Sequence, residues 1–182
     1  MHRLILSVLV AGALLAMPAT AHADGFISPY LGVNFGGDTI KKSTTVGGAL
    51  GVLGKSAGFE VDFGYTPDFF TDDTFDVDGK VVTLMGNLLI GGRHQSVSPY
   101  IALGAGLIRT DVEVLSDVLD FSNAKNSFGG NVGGGLFIGK GAINLRGDIR
   151  YYRAFDADEF PAEILNDKLG FWRANVGIGF MW

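Results

Sequence analysis

From Phe26 to Trp182 the chain repeats one texture, apolar residues at every second position, broken by short turns or polar links. It is clearest over Gly58 to Tyr65, where Phe59, Val61, Phe63 and Tyr65 alternate with Glu60, Asp62 and Gly64. A period of two belongs to strands, whose successive side chains point to opposite faces. The same pattern predicts strands over Phe26–Phe35, Val46–Leu53, Gly58–Tyr65, Lys80–Gly91, Ser98–Ile108, Phe128–Ile138, Ile143–Tyr152 and Trp172–Trp182. Strands of this length, in an even number, suit a tilted membrane-crossing strand of about 9–11 residues. The expected links after the second, fourth and sixth strands are short (54–57, 92–97, 139–142), and the others are longer and polar. Short turns at one rim and long polar links at the other suit a barrel whose two rims face different surroundings.

The first residues read as an address. Arg3 gives a positive start, Leu4 to Ala16 an apolar core, and Ala21-His22-Ala23 a small-x-small cleavage pattern. Residues 1–23 are therefore expected to be a cleaved signal peptide, and residues 24–182 one mature domain. The apolar run is shorter than the roughly 20 residues a spanning helix needs, and none of that length follows, so any membrane crossing is made by strands. The chain has no cysteine, which removes disulfides and thiolate metal sites. Its net charge of −5 argues against nucleic acid as a partner. Twenty-eight glycines interspersed with long apolar stretches fit neither collagen nor a disordered chain.

Alternation does not say which face is outside, since a soluble ligand-carrying barrel has the same period with its apolar set inward. Three features favour apolar-out. The other set is mostly Gly, Ala and Asn, small enough for the narrow inside of eight strands. Its few charges carry both signs: Glu60, Asp62, Arg146, Asp148, Arg150 and Arg173. Facing lipid, each would cost up to ~2–4 kcal/mol at the midplane, whereas inside they can pair. Aromatics gather at strand ends, Phe26, Tyr100, Phe180 and Trp182 toward one rim, and Tyr65, Phe69, Tyr151, Phe171 and Trp172 toward the other. These are expected girdle positions at the headgroups.

The signal peptide, the eight alternating strands and the ending Asn175-Val176-Gly177-Ile178-Gly179-Phe180-Met181-Trp182 resemble the porin-like outer-membrane β-barrel family, with its small barrels of OmpA and OmpX type. The resemblance covers the mature chain by pattern rather than by a rigid motif. It implies an all-β, eight-stranded, antiparallel up-and-down transmembrane barrel in the outer membrane. It also implies that Val176, Ile178, Phe180 and Trp182 carry the signal read by the barrel-assembly machinery, with Trp182 in place of the commoner terminal Phe. The family implies no single activity.

Within this frame the inward charges are the leading constellation, either a ring lining a pore or a salt-bridged plug. Eight strands leave little lumen, which favours the plug, with Glu60 and Asp62 opposite Arg146, Arg150 or Arg173. His94-Gln95-Ser96 is similar to the His-x-Ser pair of the lipid A deacylases. It falls on the expected periplasmic rim with no carboxylate nearby to orient a base, so a polar turn is the better reading. The long links are acidic: Asp72, Asp73, Asp76 and Asp78 in one, Asp111, Glu113, Asp117 and Asp120 in another, Asp156, Asp158, Glu159, Glu163 and Asp167 in the last. Lys41 and Lys42 are exceptions. Such loops could bridge divalent cations to lipopolysaccharide or meet a basic surface partner, or simply stay solvated. No cofactor, resident metal or catalytic residue is expected. Three readings follow: a non-enzymatic barrel for envelope integrity or surface contact, a narrow solute channel, and a lipid A-modifying enzyme using His94 and Ser96.

Overall fold

The computed structural model describes residues 23–37, 42–67, 69, 77–92, 96–114, 121–155 and 169–182, with the backbone alone at 77–78, 112–114 and 121–125. Eight strands run in chain order: β1 (Asp24–Phe35), β2 (Ser43–Leu53), β3 (Ala57–Thr66), β4 (Val77–Gly91), β5 (Val97–Val114), β6 (Phe121–Lys140), β7 (Ile143–Phe155) and β8 (Gly170–Met181). Each pairs antiparallel with its chain neighbours, and β8 pairs with β1 to close a barrel. Closure leaves no sheet edge, so backbone donors within the membrane-spanning region find partners without water. Paired backbone bonds between Gly25 and Trp182, 3.1 and 3.0 Å, fasten the two ends.

Following cross-strand partners once round the wall passes Asp24, Leu53, Gly58, Leu89, Ala102, Gly133, Arg150 and Arg173 and returns to β1 at Asn34. The wall is thus staggered from residue 24 to residue 34. With about 4.8 Å between strands and about 3.3 Å per residue, this stagger tilts the strands by roughly 40°. The connections at one rim are short. Gly54 N–H donates to Ala57 O at 2.9 Å, and Gly141 takes a positive φ of 82° in the link between β6 and β7. A two-residue hairpin turn requires a left-handed backbone there, which glycine adopts without strain.

The apolar set faces out. Leu84, Leu103, Leu136 and Leu145 are exposed on the wall's outer surface together with Ile27, Leu31, Val61, Phe63, Val132, Val176 and Ile178. Such a continuous apolar exterior needs lipid, since soluble monomers rarely expose so large an apolar patch.

Two expectations change. Residues 109–114 and 121–127, read as part of a loop, belong to β5 and β6, which reach 18 and 20 residues. Likewise Val77–Gly79 open β4. Here Asp78, Asp111 and Glu113 sit on strands that rise past the apolar belt, where no lipid enforces alternation and the pattern fades. Second, four of the nine expected girdle aromatics, Phe26, Tyr100, Phe69 and Phe171, lie inside the barrel. On their strands Phe26, Tyr100 and Phe171 share the inward parity, which overrides their nearness to a rim. Tyr65, Trp172, Phe180 and Trp182 are exposed outside, with Tyr151 half-buried beside Trp172.

Candidate functional site

Inward parity delivers three kinds of side chain to the lumen, and the stagger sorts them into layers. Toward the short-turn rim Phe26, Leu53, Leu89, Tyr100, Phe137 and Met181 pack into one apolar cluster. Phe26 and Phe137 meet edge-to-face at 5.3 Å. Toward the long-link rim Phe69, Val81, Met85, Ile108, Tyr152 and Phe171 form a second cluster, in which Tyr152 and Phe171 stack at 5.2 Å. The interior is therefore less uniformly small than the sequence suggests. Glycines on the same parity make room for the rings, as at Gly51, where an added Cβ would lie 2.9 Å from Phe26 Cζ.

Between these clusters lie the charges. Glu60, Asp62, Arg146, Asp148, Arg150 and Arg173 are all buried, three carboxylates against three guanidiniums, so this interior layer is neutral overall. Glu60 faces β7 across the lumen. Its Oε2 accepts from Arg146 Nη2 at 2.6 Å, and its Oε1 lies 2.9 Å from Arg150 Nη1. Asp148 lies between the same two arginines on their own strand, 3.0 Å from Arg146 Nε and 3.2 Å from Arg150 Nε. Arg150 is held mainly by charge. Its Nε and Nη1 hydrogens are not directed at an acceptor, and Nη2 donates only a long 3.4 Å bond to Asp148 Oδ2. Asp148 also accepts from Tyr100 Oη at 2.9 Å and Asn175 Nδ2 at 2.9 Å. Asn87 donates to Glu60 at 3.0 Å and accepts from Asn131 at 2.8 Å. Shared in this way, two carboxylates and two guanidiniums offset much of the desolvation cost that buried ions carry. Beneath them the Arg146 guanidinium lies 5.2 Å from the Phe137 ring centroid and 5.7 Å from that of Phe26.

The other two charges do not follow the expected pairing. Asp62 accepts from Tyr30 Oη at 3.2 Å, and among the described residues no guanidinium comes within ion-pair distance of it. Arg173 donates to neutral acceptors, Asn34 Oδ1 at 2.8 Å and Thr83 Oγ1 at 3.0 Å. Its guanidinium stands 4.7 Å from the Tyr152 ring centroid and 5.4 Å from that of Phe171, a cation–π placement. Asn34 joins it to a hydroxyl cluster, donating to Ser43, Thr45 and Thr66. The sequence reading missed Tyr30, Asn34, Asn87, Tyr100, Asn131 and Asn175 as partners. All share the parity of the charges, which was the available signal.

Ala23 directly precedes β1, and Ala21 lies outside the described residues. Val176, Ile178, Phe180 and Trp182 all face outward. The Trp182 indole covers Gly25, where an added Cβ would stand 2.6 Å from the ring. His94 lies outside the described residues. Ser96 sits at the short-turn rim, its carbonyl accepting from Gly139 N–H at 3.0 Å. Asp72, Asp73, Asp76, Asp117, Asp120 and the acids of 156–168 also lie outside the described residues. Asp111 pairs with Arg109 at 3.2 Å.

A barrel of this kind recurs among solved structures. The chain is similar to the N-terminal β-barrel domain of OprF from Pseudomonas aeruginosa, at 16% identity and a TM-score of 0.57 over 90% of this chain and 100% of that one. It is also similar to Neisserial surface protein A, at 15% identity and 0.59 over 87% and 95%. A third is Ail, the attachment invasion locus protein of Yersinia pestis, at 17% identity and 0.56 over 88% and 98%. At these identities the likeness concerns the fold. Comparison with curated proteins by sequence gives no match. Residues 7–182 match the family model described as the outer membrane protein beta-barrel domain.

Proposed function

Because this chain belongs to the outer-membrane β-barrel family and resides in the outer membrane, we propose that it is a non-enzymatic, internally plugged barrel. It supports envelope integrity and presents its long-link rim to the surroundings of the cell. The observation that carries this reading is the filled lumen, an ion-paired layer centred on Glu60, Arg146, Arg150 and Asp148 between two apolar clusters. Small eight-stranded barrels have interiors that side chains fill, and this one uses its charges to cross-brace facing strands. The rim carrying 36–42, 67–76, 115–120 and 156–169 is the outside rim, since outer-membrane barrels keep their short turns in the periplasm.

Residues 1–23 act as the export signal, and the mature chain begins at Asp24. Its last strand, through Val176, Ile178, Phe180 and Trp182, engages the barrel-assembly machinery. Its outer wall contacts outer-membrane lipid and lipopolysaccharide.

Single-channel recording on the purified full barrel tests the plug. We expect no discrete conductance steps, whereas large, persistent steps overturn the plug in favour of a narrow solute channel. The hydrolase reading draws no support from geometry, because Ser96 sits on the rim assigned to the periplasm. Ser96→Ala is expected to leave the lipid A mass spectrum unchanged.

A further inference from the structure

Seven of the eight ladders run without a gap from their first pair to their last, and the closing one does not. Between β1 and β8 the pairing stops at Ile27 with Phe180 and resumes at Tyr30 with Gly177. The break falls on Pro29. Gly25 exchanges both of its backbone bonds with Trp182, and in an antiparallel ladder every second residue does the same toward that partner. Residues 27, 29 and 31 therefore turn their backbone donors toward β8, and at 29 proline has none. The Ile178 carbonyl opposite it is left without its ladder donor. The neighbouring Ser28 hydroxyl does not substitute, because its buried Oγ makes no hydrogen bond among the described residues. The break lies in the apolar belt, between the exposed Ile27 and Leu31, where water does not replace the bond. Nor does it open a passage into the lumen. The Phe137 ring lies behind Gly179, 2.9 Å from where a Cβ would stand, and packs with Phe26 and Met181.

A proline inside a sheet removes a bond, and it belongs at an edge, where its donor-less side faces no partner strand. In the finished barrel β1 has no such edge. It has one only before closure, and that edge is the one that later meets β8. β1 pairs with β2 as its chain neighbour, whereas β1 and β8 are the strands farthest apart in the sequence. The entropy cost of loop closure is greatest for that pairing. Until it forms, an open edge bearing alternating apolar residues is a template for another chain. β1 presents Ile27, Leu31 and Val33, and from Gly25 to Phe35 it has no charged side chain to repel a second strand. We propose that Pro29 is an edge guard, which keeps the free edge of β1 from pairing with a second copy of this chain until β8 closes the barrel. The missing bond in the finished wall is the consequence. The inference is independent of what recognises β8 and of whether the barrel conducts.

Pro29→Val restores the donor and keeps the outward position apolar. Pro99→Val is its control. Pro99 is also exposed on the wall, but the β4–β5 ladder ends at Tyr100, so no ladder bond is regained there. The urea-unfolded full chain is diluted without lipid at several protein concentrations and followed by light scattering, a reading that does not require a variant to fold. Pro29→Val is expected to aggregate at a several-fold lower concentration than wild type, with Pro99→Val unchanged. Refolded into micelles at low concentration, Pro29→Val should unfold at a higher urea midpoint than wild type, because the seam regains its bond. Equal aggregation of wild type and Pro29→Val overturns the guard, as does an equal rise in aggregation for Pro99→Val. A lower urea midpoint for Pro29→Val also overturns it, since the proline would then serve the finished wall by restricting the unfolded chain.

Discussion

Arg146 Nη2 lies 2.6 Å from Glu60 Oε2 across the barrel, joining β7 to β3 through the centre of the lumen over 86 residues of sequence. The contact works as a strut because neither strand neighbours the other in the wall. Removing Glu60 leaves Asp148 as the one counter-ion of both arginines and one net buried positive charge, and breaking a buried pair in this way costs about 3–5 kcal/mol. Glu60→Gln should therefore destabilise by that order, read as a lower urea midpoint for the refolded barrel in micelles. Replacing both partners together, as Glu60→Met with Arg146→Met, should cost less than Glu60→Gln alone. A double variant that loses as much as the sum of the singles would show that the strut is not a coupled pair.

A second dependence lies beside Arg173. A Cβ at Gly64 would stand 2.5 Å from Arg173 Nη1 and 2.8 Å from Thr83 Oγ1, pressing on the pair that holds the guanidinium. Gly64→Ala is expected to destabilise by about 1–3 kcal/mol, as overpacking does. Gly147→Ala is its control, since nothing comes nearer than 4.0 Å to a Cβ there. The control should be neutral or slightly stabilising, because a strand glycine gives up more conformational freedom on folding than alanine. Equal melting shifts for the two variants would contradict the crowding argument.

Which of these features the sequence makes legible depends on the physical rule that sets each one. Parity is local, so the sorting of Leu103 outward and Glu60 inward could be read from neighbouring residues. Partner choice is not local. Glu60 and Asp62 share a strand, a sign and a parity, yet Glu60 meets two arginines while Asp62 meets the Tyr30 hydroxyl. What separates them is height in the barrel, which depends on the accumulated stagger of all eight registers. Phe26 shows the converse error. Proximity to a strand end suggested a girdle, although its own parity with Ser28 and Tyr30 placed it inside. The tops of β5 and β6 look like a link in the sequence because the alternation that lipid imposes fades above the belt.

Export and closure give a third test. Trp182 completes the backbone bonds to Gly25, and its indole covers that glycine. If the last strand is also the assembly signal, Trp182→Phe should reach the outer membrane normally, while Phe180→Ser with Trp182→Ser should accumulate in the periplasm. The same double variant should still refold in micelles, with at most a modest loss of stability. Cell fractionation beside in-vitro refolding separates the two effects. Failure of the double variant in both settings would assign these residues a structural role alone.

The lipid-facing wall gives the last test, and it rests on depth rather than on any single contact. Leu103 stands on the outer face in the middle of β5, while Ile143 opens β7 at the short-turn rim, and both are exposed. In a soluble barrel an exposed arginine costs little at either position, because water solvates it. In a membrane the cost follows the distance from the midplane, about 2–4 kcal/mol at the centre and 0–1 near the interface. Leu103→Arg should therefore destabilise the barrel in lipid vesicles by several-fold more than Ile143→Arg. The same pair should differ far less in a detergent micelle, whose apolar thickness adapts to the charge. Measuring both by denaturant titration gives the depth of the apolar belt, and equal costs in vesicles would contradict the transmembrane placement of β5.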